Sequence, residues 1–589
     1  LALFFRSIEA IEMADWFYIR NGQPIGPVSI EQLQQLLRAA AIGPVDMVWT
    51  EGMPQWLPVA NLPELFNAVP GVAAVPGTSP VKVLAIVGAS ILGLAVVGGL
   101  IFVAVFYANK TPAAPAVPAL LPGISNLTAQ HNVQSYIASA NAGNARAQFH
   151  LGYAYEKGEG VAADPVQAVK WYRKSADQGD LEAQTRLGYC YNHGVGVEKD
   201  SETADQWYRK AADGGYAWAQ YNLGRAYEDG VGVAKDPAAA MDWYRRSAAQ
   251  NNSWAQYSIG HCYQFGTGVD RDYALAVEWY RKSADQGYAG AENQLGVLYD
   301  TGEGVPRDKS AAYELYRKAA EQGEVWGEFN LGHSYELGQG VGKDEEQAVV
   351  WYRKSAAQGN SWAQFRLGLC FELGRGVDAN GAIAVMWYEK AAAQGDHIAE
   401  NRLGYCYDHG IGVSQDVSKA NGWYRKAADA GYAESQYNLG RSYEDGTGVE
   451  KDLKQAVELY RKSAAQKYIL AQYCLGRCYE LGLGVDKDLG QAVDWYQLSA
   501  DQGYDHAQNK IGVMHQDGNG VPADSAKAVK WYRKAAEQGL AQAQFNLAVC
   551  LENGNGAARD QEEAVKWYTK AADQGHEKAK AALARLGTK

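Results

Sequence analysis

The sequence predicts an all-α solenoid of twelve 36-residue helix-pair repeats, preceded by a small α+β module and one transmembrane helix. Three observations carry this expectation. An aromatic pair ending in Tyr, or its Leu-Tyr variant, recurs every 36 residues from Trp171-Tyr172 to Trp567-Tyr568. A Gly-x-Gly pair keeps the same step from Gly158/Gly160 to Gly554/Gly556. The 25 residues from Val83 to Tyr107 carry no charge. Self-similarity at a fixed period of this length marks stacked supersecondary units, none of which can bury its apolar face alone.

In chain order, residues 1–12 precede Met13 and read as an overcalled start or an extension, since Leu1–Phe5 is too short for a signal-peptide core. Residues 14–66 form the α+β module. Trp16–Ile19 is a strand, Asn21-Gly22 a turn, and Ser29 caps a helix with Ile30, Leu33, Leu36 and Leu37 at helical spacing. A second strand around Met47–Trp49 runs into Gly52, Pro54 and Trp56. Residues 67–82 make a Pro/Gly-containing linker and 83–107 the transmembrane helix; at 1.5 Å per residue that run is about 37 Å long, enough to cross a bilayer with some tilt. Residues 108–140 are a Pro/Ala-rich linker and lead-in, and 141–580 the repeats. A folded domain ahead of the first span is hard to export. This places the N-terminal module in the cytoplasm and the repeats in the periplasm of a bacterial inner-membrane protein.

Each repeat explains itself physically. A first helix such as Ala219–Tyr227 sets Ala219, Leu223 and Tyr227 on one face, with Gly224 between them to admit the neighbouring helix. Asp229-Gly-Val-Gly-Val is a turn that ends the helix, and Asp236 caps the second helix with Pro237 in its first turn. Asp recurs at the cap position through Asp560, with Asn380 as its one substitute. The Trp-Tyr stripe is read as core. Six of the seven cysteines, Cys190, Cys262, Cys370, Cys406, Cys478 and Cys550, share one repeat position and read as small buried hydrophobes. Cys474, four residues before Cys478, leaves open a redox or metal pair.

These residues resemble a known family. Ala-Gln-x-x-Leu-Gly-x-x-Tyr, Gly-x-Gly-Val-x-x-Asp and Ala-x-x-Trp-Tyr-Arg-Lys-Ala-Ala-x-Gln-Gly look like the Sel1-like repeat, a relative of the tetratricopeptide repeat, and the likeness implies an adaptor scaffold. Trp16-Phe-Tyr-x-x-x-Gly22, Gly26-Pro27-x-Ser29 and Val48-Trp49-x-x-Gly52-Met-x-x-Trp56-x-Pro58 resemble the bacterial GYF-like domain. That likeness implies a peptide-binding surface at Trp16, Tyr18, Pro27, Trp49 and Trp56.

If the repeats pack as their relatives do, first helices line a concave groove. Candidate partner-binding positions follow Leu-Gly, at Tyr189, Arg225, His261, His333, Tyr405, Arg441 and Arg477, or precede that Gly by two, at Arg186, Asn222, Asn330, Arg366, Arg402 and Asn438. Trp218, Trp254, Trp326 and Trp362 are candidate anchors. Arg and Asn at such positions suit carboxylates or extended backbone.

The expected function is a membrane-anchored scaffold binding a protein or peptide. Its alternatives are an envelope-associated enzyme with an unrecognised site and a structural spacer. The chain lacks His-Glu-x-x-His, a phosphate-binding Gly-Lys-Ser/Thr loop and a Gly-x-Ser-x-Gly elbow. No enzyme activity, catalytic residue, metal, cofactor or small-molecule substrate is therefore expected. A net charge of -12 argues against nucleic-acid binding.

Overall fold

The computed structural model describes residues 16–20, 23–28, 32, 33, 36, 47–50, 57, 58 and 126–587. From residue 145 onward, short helices alternate without a break: twelve pairs, each spanning one 36-residue period. Helix Asn126–Asn141, within the segment read as linker and lead-in, packs against the first pair through Val133 and Ala140. Helix Glu577–Arg585 packs against the twelfth. The chain divides into two compact units, one ending at Ser355 within the sixth repeat and the other holding the N-terminal strands with residues 356–589.

The local chemistry is the same in every pair. Asp236 accepts hydrogen bonds from the N–H groups of Ala238 and Ala239, and its counterparts from Asp164 to Asp560 do likewise. First helices end on a left-handed glycine such as Gly194, φ 69°. Two residues on, Gly196 also has positive φ, and a Cβ there would stand 2.1 Å from the Pro165 carbonyl oxygen of the preceding repeat. The second glycine of such a pair, as at Gly196, Gly232 and Gly268, is thus where one repeat presses on the last.

Cores form between repeats as well as inside them. Ala240, Met241 and Tyr244 of the third repeat pack with Ala255, Ile259 and Cys262 of the fourth in one buried cluster. The Trp-Tyr pair divides its labour within the core, the Tyr at its centre and most of the Trp packed on its margin. Tyr172, Tyr244 and Tyr280 are fully buried, whereas Trp171, Trp207 and Trp243 are half-buried beneath a Lys or Arg three residues on. All seven cysteines are buried.

The N-terminal module shows a four-stranded antiparallel sheet of β1 (Trp16–Arg20), β2 (Gln23–Val28), β3 (Met47–Thr50) and β4 (Leu57–Pro58), in the order β2-β1-β3-β4. Tyr18 pairs with Ile25 on one side and Val48 on the other. Residues 32, 33 and 36 of the expected helix are helical, and Leu33 is fully buried.

The membrane expectation is corrected. Among the described residues no helix is long and apolar enough to cross a membrane. The longest has 16 residues, whereas a span needs about 20 apolar ones, and the repeat helices carry charged or polar side chains on one face. Segment 83–107 lies outside the described residues. A transmembrane helix, membrane anchoring and a single-pass inner-membrane topology with periplasmic repeats are accordingly not supported.

Candidate partner-binding face

The first helices carry most of the singled-out residues, and the structure shows what each one does. Several arginines are already engaged across repeats. Arg186 is buried, pairs with Glu156 at 3.4 Å and lies over the Tyr153 ring. Arg402 donates from Nε to Glu372 at 2.9 Å, and Arg477 pairs with Glu444. Arg225 turns to Asp229 of its own helix at 3.2 Å. Arg366 is half-buried.

The carboxylates that receive these cations were not singled out from the sequence. Glu156, Glu228, Glu336, Glu372, Glu444, Glu480 and Glu552 sit at one repeat position, and each accepts the hydroxyl of the core Tyr 16 residues later. A second ladder joins glutamines 30 residues apart, as in Gln178 to Gln148 at 2.7 Å and Gln250 to Gln220 at 2.9 Å. Both spacings were present in the sequence as recurring Tyr-Glu and Ala-Gln pairs. A repeated buried polar residue needs a repeated partner, and that was the available signal.

The Asn positions are likewise partly occupied. Asn330 donates to Asn293 at 2.8 Å and Asn438 to Asn401 at 3.2 Å, while Asn222 is half-buried. The aromatic positions pair locally: Tyr189 stacks on His193 at 4.2 Å, Tyr405 on His409 at 4.0 Å, and His333 on Phe329 at 6.2 Å. His261 packs between Tyr257 and Phe265, and burial takes its pKa down to about 4, so it is neutral at physiological pH. Trp218 and Trp254 lie 6.4 Å apart with Tyr288 4.2 Å beyond, and Trp326 meets Phe329 edge-on. Trp362 is half-buried.

One cavity opens on this face. It has a volume of about 230 Å³ and lies between the first helices of repeats nine and ten, Ala433–Asp445 and Ile469–Leu481. Its walls include Tyr437, Arg441, Tyr473, Arg477 and Tyr504, with Glu444 and Asp445 alongside. Arg441 is partly desolvated, yet Tyr437 and Asp445 beside it raise its pKa above the ordinary value. Arg477 keeps its Nε buried without a hydrogen-bond partner. Cys474 lines the same cavity, and burial pushes its thiol up to about 11, which keeps it protonated. Cys478 moves the same way for the same reason, to about 12. Among the described residues no cluster of His, Cys, Asp and Glu is arranged to hold a metal ion.

Trp16 and Tyr18 lie on β1, Pro27 on β2 and Trp49 on β3, so the strand order brings these four positions to three adjacent strands. Trp56 lies outside the described residues.

A solenoid of capped helix pairs, tied by Tyr–Glu and Gln–Gln ladders, defines a class of repeat protein. The Sel1 repeat matches twelve times in succession from residue 145 to residue 576, and the chain belongs to that family. Residues 16–65 match GYF domain 2, so the N-terminal module is a GYF-like domain. Among solved structures, the chain is similar to c5321, described as a protective antigen of uropathogenic Escherichia coli displaying an SLR fold. The two share 37% identity and a TM-score of 0.60, over 77% of this chain and 97% of that one. A Sel1 repeat protein from Oxalobacter formigenes is 33% identical over 44% of this chain and 96% of its own, with a TM-score of 0.38. No curated protein matches the chain.

Proposed function

We propose that this protein is a protein–protein interaction scaffold that captures a protein or peptide on the first-helix face of its repeats and performs no chemistry of its own. The observation that carries the reading is the contrast between two sets of residues. Positions that recur in the repeats are consumed by bonding within a repeat, as the Tyr–Glu and Gln–Gln ladders show, and between repeats, as Arg186–Glu156 and Arg402–Glu372 show. The cavity of repeats nine and ten instead gathers three tyrosines and Arg441 beside a non-recurring Cys474, with Arg477 held at its edge by Glu444. Rigid aromatic walls with guanidinium groups are the composition of interface anchors, since they offer large contact area at low cost in side-chain entropy.

The test is in-cell photo-crosslinking of the full chain from positions 437 and 504, with exposed Val166 on a second helix as control. A scaffold yields a saturable partner from the cavity positions, reduced at least tenfold by Arg441→Glu, and none from the control. Equal capture from all three positions, or capture indifferent to Arg441→Glu, would sink the proposal.

A further inference from the structure

Repeat seven departs from the others on the outer face of its second helix, Gly381–Ala392. Two residues past the first member of the aromatic pair, nine of the other eleven repeats carry Arg, from Arg173 to Arg533, whereas repeat seven carries Glu389. Just before that member stands Met386, where nine of the others have a charged residue or Gln. One turn earlier stands Ile383, where repeat one has Gln167. Leu275 stands at the place of Ile383 in repeat four and exposed Val350 at the place of Met386 in repeat six, but repeat seven alone is apolar at both, and an apolar strip confined to one copy is a place with something to cover it.

In the structure this strip is shielded from water. Ile383 is 0% and Trp387 2% exposed, although the equivalent Trp is half-buried in eight other repeats. The Trp387 Nε1–H is enclosed without a hydrogen-bond partner, so the indole has lost its water. β2 lies against this helix, and the two belong to the same compact unit. The strand, Gln-Pro-Ile-Gly-Pro-Val, bears no charge. In other repeats the Arg reaches the ring of a Tyr 18 residues on, as Arg209 reaches Tyr227. Glu389 removes that long cation from beside the strip, while Lys390 stays over Trp387.

We infer that the outer face of this helix is a docking surface for the chain's own GYF-like domain, presented through β2. Its specificity comes from the three departures: Ile383 and Met386 supply apolar area, and Glu389 leaves the approach clear. The surface is separate from the cavity of repeats nine and ten and does not depend on what that cavity binds.

The experiment uses the full chain with a benzoylphenylalanine crosslinker at position 382, mapped by mass spectrometry in a mixture of isotopically heavy and light chains. The expected product is a crosslink within one chain to a peptide containing residues 23–28. The variant Ile383→Gln/Met386→Lys/Glu389→Arg restores what repeat one carries at these places, and it should lower that yield at least tenfold with an unchanged helical circular dichroism spectrum. Met386→Lys alone, at a half-buried site, should lower it several-fold if the triple variant fails to fold. No crosslink to the module, crosslinks only between heavy and light chains, or a yield indifferent to the substitutions in folded protein would each overturn the inference.

Discussion

At the scale of single residues, the repeats are held by contacts that leave no room for an added atom. A Cβ on Gly404 would stand 2.5 Å from the ring of Tyr424. Gly404→Ala is therefore expected to cost about 1–3 kcal/mol, read as a lowered urea midpoint, because the buried Tyr must shift off its rotamer. The last repeat already carries Ala548 at this position, fully buried. Glu324 makes a pH prediction. It caps the first helix of repeat six by accepting from Gly327 N–H, and burial pushes its pKa up to about 7 from an ordinary 4.5, with Glu328 adding to the rise. A carboxyl raised on folding contributes stability that is fully present below the unfolded value and is lost as pH climbs through the folded one. The stability of Glu324→Gln relative to the parent should accordingly increase between pH 4.5 and 7 and level off above that window. Urea midpoints at pH 4, 6 and 8 that move in parallel for the two proteins would refute this.

At the scale of elements, the two helices of a repeat are specified differently. Second helices start on an Asp or Asn whose side chain accepts from the next turn, so their start is written locally. Asp272→Ala should cost about 0.5–2 kcal/mol, measured by equilibrium unfolding, since only the Leu275 N–H loses its side-chain partner. Five first helices instead begin at Tyr216, Tyr288, Tyr432, Tyr468 or Tyr504, with no side-chain cap. Tertiary contacts start those helices: Tyr288 packs on Trp254 at 4.2 Å and Tyr504 on Tyr473 at 5.2 Å. The helices, caps and turns were legible in the sequence because each rests on residues within a few positions of one another. The inter-repeat pairing of two groove arginines was not legible because their partners lie 30 or 33 residues away, as Glu372 does for Arg402 and Glu444 for Arg477. A cation that looks solvent-facing along its own helix is an inter-repeat strut once the next turn of the solenoid is laid beside it.

At the scale of the whole molecule, stability in such an array is close to a sum of repeat terms and nearest-neighbour interfaces. Removing residues 217–252, one full period, joins equivalent positions and preserves every interface type, so the shortened chain should fold. Its urea m-value should fall by about one-twelfth, in proportion to the surface buried. Removing 217–234 deletes one first helix and puts two second helices, Ser201–Asp213 and Pro237–Ala248, in succession, and that chain should lose cooperative unfolding. Comparable far-ultraviolet circular dichroism melts for the two deletions would contradict the nearest-neighbour picture.

The sequence by itself determined the repeat, its period, its helix pair and the presence of the GYF-like module, because these depend on spacing and local hydrogen bonding that a linear reading can count. The apolar run at 83–107 was legible too, but no helix among the described residues spans a membrane, and the anchor inferred from it does not stand. Only the tertiary structure decided which polar residues are spent on the scaffold. The Tyr244 hydroxyl reaches Glu228 across 16 residues, and Gln250 reaches Gln220 across 30. The tertiary structure alone also closed Tyr437, Arg441 and Tyr504 around one cavity. The physical reason is that a side chain's availability depends on what folding brings within hydrogen-bond reach, and in a stacked array that neighbour lies 16 to 33 residues away, in the same repeat or the adjoining one.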